Sequence, residues 1–143
     1  MKISNKGIDF IKSFESFSPT KYICSGGMRT IGYGHTIKQG EHFEGISQCQ
    51  AEEILVQDLC LAEKSVLRNI RAPLEQNQFD ALTSFVFNLG GGSLQRSSLR
   101  QKINYGGDAN EIYDEFVKWV YAGGKKLRGL LRRREAEAEM YLG

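Results

Sequence analysis

Apolar residues recur along most of this chain at helical spacing, and one stretch near the start departs from it. Ile8, Ile11 and Phe14 form a stripe ending at Glu15, which predicts a short amphipathic helix. Pro19 and the Ser25-Gly26-Gly27 triplet then end helical continuity. Tyr22 and Ile23 lead into that turn, and residues 28–36 read as strand with glycines at Gly32 and Gly34. Glycine inside a strand marks a bend, or the close approach of a ligand or backbone. The segment therefore predicts a small hairpin or three-stranded sheet, followed by a polar loop over residues 38–46.

Everything beyond that loop reads as helix. Ser47 followed by Gln50 is a capping-box signature, and Ala51, Ile54, Leu55, Leu59, Ala62 and Val66 continue it as one long stripe. Pro73 ends this connection. Phe79, Leu82, Phe85, Val86 and Leu89 make the most hydrophobic helix, expected to stop at Gly90-Gly91-Gly92. Ser97 or Ser98 opens a short helix. Asp108 with Glu111 caps another, carrying Ile112, Phe116 and Trp119, and a last helix spans residues 127–141 approximately. The expected class is α+β with helix dominant, in a single domain over residues 1–143. A small N-terminal lobe (about 13–50) joins through a connecting helix (about 47–70) to a helical C-terminal lobe (about 71–143) that also takes in the N-terminal helix.

Composition narrows the partners. A chain of 143 residues, 41% hydrophobic with two prolines, is an ordinary globular domain rather than a disordered one. The formal charge of +2 is too small to argue for nucleic acid, and no recognition-helix motif is present. Lys118, Lys125, Lys126, Arg128, Arg132, Arg133 and Arg134 nevertheless make the C-terminal quarter basic. Such a face suits an anionic polymer, or more plainly a solvated helix with Glu135, Glu137 and Glu139 as intrahelical partners. The segment MKISNKGIDFIKSFE has no apolar core for a signal peptide, and no stretch approaches the roughly 20 apolar residues of a membrane span. Cytoplasmic accumulation without membrane insertion is the expectation. Cys49 and Cys60 would lie about 16 Å apart on one helix at about 1.5 Å per residue, too far for a disulfide. Reduced thiols are therefore expected, and no C-x-x-C spacing suggests zinc, which leaves a site built from Cys24, His35 and His42 as the weaker metal reading.

Glu15, Cys24 and Thr30 carry the most chemical information, at a spacing of E-x8-C-x5-T. A helix end facing a small hairpin sets two reactive groups on opposite walls of a cleft. The run T-I-G-Y-G-H-T over residues 30–36 follows directly. Two further blocks are ALTSFVFNLGGGSLQRSSLRQKIN (81–104) and GLLRRREAE (129–137). Together the three ordered blocks resemble the phage-type lysozymes of glycoside hydrolase family 24 over nearly the whole chain.

That resemblance implies a lysozyme-like fold and an endolysin that cleaves the β-1,4 bond between N-acetylmuramic acid and N-acetylglucosamine in peptidoglycan. Glu15 would be the general acid, with Phe14 and Phe17 supplying apolar surroundings that favour a protonated carboxyl. The position of Cys24 holds aspartate or cysteine in such lysozymes, and that of Thr30 holds threonine, which implies inversion with water held on the opposite sugar face. Cys24 either acts as a thiolate base, if its neighbours favour that form, or positions the water with Thr30. A covalent role is less attractive because a sulfur-linked sugar would hydrolyse slowly. Thr36, Phe87, Asn88, Ser98 and Tyr113 match substrate-contact positions, and Asn88 offers an amide donor and acceptor at the end of an apolar helix. His35 with Asp58 would form a structural ion pair. One of Arg132, Arg133 and Arg134, with Arg133 preferred, would reach Glu15 and favour its ionised form. The implied partners are bacterial peptidoglycan and a holin whose pore releases a monomeric enzyme, one that needs no cofactor, from the host cytoplasm to the periplasmic wall. Two other readings are a non-catalytic wall-binding module with a decayed site and a nucleic-acid-binding helical domain. Retention of Glu15 and Thr30 at the expected spacing argues against decay.

Overall fold

The computed structural model describes residues 1–24 and 26–143. Helix α1 (Asn5–Glu15) starts at Ser4, whose hydroxyl accepts from the Gly7 amide. The chain then enters a three-stranded antiparallel sheet, β1 (Ser18–Ile23), β2 (Arg29–Gly32) and β3 (His35–Thr36), in that spatial order. The expected single strand over 28–36 is thus broken in two. Gly32 at φ 68° and Gly34 at φ 75° adopt left-handed backbone that β-branched residues resist, so the chain folds back at Tyr33-Gly34. The turn expected at Ser25-Gly26-Gly27 includes Ser25, which lies outside the described residues. Beside it, the Gly27 amide donates to the Cys24 carbonyl at 2.9 Å.

Helix α2 (Gln48–Asn69) opens on the capping box read from Ser47 and Gln50. It carries both exposed cysteines, Cys49 and Cys60, and all three cysteines are unpaired. Its two ends serve different cores. Leu55 and Leu59 pack with Ile11, Tyr33 and Ala51 in a smaller cluster, and Ala62 and Val66 join a larger one. That larger core is built from α3 (Gln76–Leu89), α4 (Gly91–Gln95), α5 (Ser98–Asn104), α6 (Ala109–Phe116) and α7 (Arg128–Leu142). Phe79, Phe85 and Phe116 are fully buried within it. Phe87 packs against both clusters, so it sits where the two bodies of the fold meet.

Three sequence readings change here. Gly90, at φ 91°, stops α3 as expected, but Gly91 and Gly92 begin α4 rather than extending the break. Helix α6 ends at Phe116, before Trp119. The region read as wholly helical also contains a two-stranded hairpin, β4 (Tyr121–Ala122) with β5 (Lys125–Lys126). Its tip is Gly123-Gly124, both with positive φ, as a two-residue turn of the primed type demands. Ser97, not Ser98, caps α5, and the Asp108–Glu111 capping box opens α6.

Candidate active site

A cleft of about 350 Å³ lies between the sheet and the helical body. Glu15 enters it from the end of α1. Cys24 and Thr30 face it from the sheet, and Thr36, Phe87 and Asn88 also line it. Ser98 and Tyr113 do not. Ser98 is exposed at the first position of α5, and the Tyr113 hydroxyl lies 3.3 Å from Glu135 Oε2.

Glu15 is held on two sides. Arg133 Nη1 donates to its Oε2 at 2.6 Å, and the Glu15 side chain is 16% exposed. On the other side the carboxyl rests against Gly34. A Cβ at that glycine would stand 2.5 Å from Glu15 Oε1, inside any real contact distance. Gly34 therefore serves twice, through its left-handed φ and through the space that its missing side chain leaves to the carboxylate. With Oε2 tied to Arg133, Oε1 is the atom presented at the Gly34 wall.

Arg133 is itself fixed by a buried network, although most of this basic run reads in the sequence as a solvated face. Arg133 Nε lies 3.3 Å and Arg134 Nη2 3.2 Å from Glu137 Oε2, which also accepts from Ser84 Oγ at 2.5 Å. Arg134 and Glu137 are both fully buried. Burial pushes the Glu137 carboxyl up and the Arg134 guanidinium down to about 10, and the opposite charges of the two side chains act against both shifts. Arg134 Nη2 also donates to Asn88 Oδ1 at 2.8 Å. That bond fixes the amide flip of Asn88 and turns its two N–H donors away from Arg134. Lys118, Lys125, Lys126, Arg128 and Arg132 are exposed, as a solvated basic face requires. The spacing of Glu137, three and four residues after the two arginines, was legible in the sequence; its burial was not, because three adjacent cations ordinarily mark an outer face.

Across the cleft, the Cys24 thiol is shifted down. The Met28 backbone amide contributes most; burial opposes it, and weaker hydrogen bonds from the Thr30 hydroxyl and the Gly26 amide add to the downward shift. Thr30 has a single hydroxyl proton, and its Oγ1 also lies 2.9 Å from the Met28 carbonyl. It therefore donates either to that carbonyl or to sulfur. The second choice belongs to the thiolate. Tyr22 stands close by, and burial together with the Glu15 and Cys24 charges pushes its hydroxyl up, so it remains a phenol.

His35 lies just outside the cleft, 5% exposed, between two carboxylates. Its Nδ1 is 2.8 Å from Asp58 Oδ2 and its Nε2 is 3.1 Å from Glu41 Oε1. The second contact was not anticipated from sequence. Among the described residues no group of three or more His, Cys, Asp or Glu is placed to hold a metal ion.

The sequence model of the phage lysozyme family matches residues 12–137. The chain belongs to the phage lysozyme family. It is 40% identical to an endolysin of Acyrthosiphon pisum secondary endosymbiont phage 1, covering 99% of this chain and 98% of that protein. It is 38% identical to an endolysin of Bacillus phage B103, again over 99% of this chain but only 54% of the relative, so the chain spans about half the length of that protein. Among solved structures, the muramidase domain of SpmX from Asticaccaulis excentricus superposes with a TM-score of 0.87 at 33% identity, covering 99% and 98% of the two chains. The helix-dominant, lysozyme-like α+β fold expected from the sequence is the fold of this phage lysozyme. No helix among its described residues is long and apolar enough to cross a membrane.

Proposed function

We propose that this phage lysozyme is an endolysin muramidase that hydrolyses the β-1,4 bond between N-acetylmuramic acid and N-acetylglucosamine in peptidoglycan. The observation that carries the reading is the placement of Glu15 opposite Cys24 and Thr30 in one cleft, in a chain of this family. Protonated Glu15 donates to the glycosidic oxygen as the C–O bond breaks, and the carboxylate so formed finds Arg133 already in place. A water held by Thr30 Oγ1 and Cys24 Sγ attacks the anomeric carbon from the opposite face. Its proton passes to the thiolate that Met28, Thr30 and Gly26 favour. Exchange with solvent then returns a proton to Glu15, and the outcome is inversion.

Thr36, Phe87 and Asn88 contact the sugars in this reading, with the Asn88 amide as donor. Ser98 and Tyr113 are not required by it. The enzyme works as a monomer without cofactor, and a holin pore admits it from the host cytoplasm to the wall. The test is clearing of outer-membrane-permeabilised Gram-negative walls by wild type, Glu15→Gln and Cys24→Ala. Clearing by wild type with new reducing sugar ends, and none by Glu15→Gln, is the expected result. Wall binding by wild type without new sugar ends would overturn the assignment in favour of a non-catalytic binding module.

A further inference from the structure

Apart from the catalytic residues, five cations gather where α2, α4 and α5 meet. Lys64 and Arg68 lie on the last turns of α2, and Arg71 follows just beyond its end. Arg68 and Arg96 bracket the start of α4. A Cβ at Gly91 would stand 3.9 Å from Arg68 Nη2, and one at Gly92 would stand 3.2 Å from Arg96 Nη1. Arg100 of α5 donates to the Asn69 carbonyl at 3.0 Å and to the Gln95 carbonyl at 3.2 Å, which holds it at the end of α2. Arg100 is half-buried, and the other four are exposed.

None of the five pairs with a carboxylate among the described residues. The segments that carry them, residues 64–74 and 81–107, contain no Asp or Glu. Glu63, next in the chain, is buried and accepts from the Ile3 amide instead. The whole chain carries only +2, so the rest of the molecule is net acidic and its charge is polarised toward this patch. The patch is not polar throughout. Leu61 and Leu67 are 58% and 51% exposed, and at three- and four-residue spacing they share a face of α2 with Lys64 and Arg68. Leucines interleaved with cations suit a bilayer surface, where the cations meet lipid phosphates and the leucines enter the boundary between headgroups and acyl chains. A nucleic acid or another soluble polyanion offers the leucines nothing.

We propose that this patch docks the protein on an anionic phospholipid surface, peripherally and without a spanning segment. Glu15, Cys24 and Thr30 lie outside the patch, so docking and hydrolysis use different residues. In the reading given above, the docked enzyme is concentrated on the membrane that separates it from the wall.

The test is co-sedimentation with phosphatidylglycerol vesicles and with phosphatidylcholine vesicles, at low and at high salt. Wild type is expected on the anionic vesicles alone, and release is expected as salt screens the cations. Equal binding to both lipids, or to neither, overturns the proposal. The triple variant Lys64→Gln, Arg71→Gln, Arg96→Gln should bind the anionic vesicles about 100-fold more weakly. All three side chains are exposed, so the fold is retained, and the rate on isolated, lipid-free glycan strands should match wild type. A matching fall in that rate would assign the patch to the wall polymer and overturn the membrane reading. Leu67→Ser separates a bilayer from a soluble polyanion. It should weaken vesicle binding about threefold and leave binding to duplex DNA of equal phosphate concentration unchanged. Tighter binding to DNA than to vesicles, or no effect of Leu67→Ser on vesicles, overturns the proposal.

Discussion

Cys24 is where one side chain decides the chemistry. An ordinary thiol is only a few per cent ionised at neutral pH. Here the Met28 amide, and then Thr30 and Gly26, favour the thiolate. Because the folded value is depressed, the reactive form appears at lower pH than in the unfolded chain. Iodoacetamide should therefore label Cys24 in the native protein with a midpoint below the value of about 8.5 for an ordinary thiol, and the midpoint should return to that value in urea. Wall clearing should be lost in step with labelling, because the adduct fills the space of the water. Full clearing after complete, mapped labelling of Cys24 would remove the thiol from the mechanism. The E-x8-C-x5-T spacing announced this residue, but the donors that tune it are backbone amides, which no side-chain pattern reveals.

Among the elements, the loop between β3 and α2 shows how a short segment is fixed without regular structure. Glu41 accepts from the Lys38 amide at 2.6 Å and meets His35 Nε2 at 3.1 Å, so one carboxylate ties the loop to the sheet. The Lys38 amide is the larger cause of its depressed pKa, with His35 adding to it. A depressed carboxyl contributes stability that is present above its unfolded value and is lost as pH falls through the folded value. Glu41→Gln should therefore lower the urea midpoint at pH 7 but bring it close to wild type at pH 3; a gap of equal size at both would mean that the charge is irrelevant. Most elements were legible because helical stripes and capping boxes such as Ser47–Gln50 and Asp108–Glu111 act within a single turn. The β4–β5 hairpin was not. With two residues in each strand it has no alternation to read, although Gly123-Gly124 carried the turn. Gly34 was legible as a break in a strand, but its contact with Glu15 depends on how α1 packs across the sheet.

At the scale of the molecule, two hydrophobic clusters share α2, and the cleft runs where they meet. The walls on the helical side are set from within by Glu137, which ties together Ser84 of α3 and Arg133 and Arg134 of α7. Through those arginines it fixes both Glu15 and Asn88. Glu137→Gln leaves the buried Arg134 guanidinium without a counter-charge and Arg133 with Glu15 alone, and should destabilise the protein by about 3 kcal/mol in denaturant melts. A loss below about 1 kcal/mol would show that water reaches and solvates the pair. The network was invisible in the sequence because GLLRRREAE reads alike whether its charges face solvent or core. The bond between Arg133 and Glu15 joins residues 118 positions apart. The acid, thiol and hydroxyl thus leave the ribosome well before the cation that orients the acid. A chain whose synthesis stops anywhere between them holds the reactive trio without its strut. Synthesis through α7 thereby becomes a condition for assembling the site, a timing safeguard written into the order of the residues.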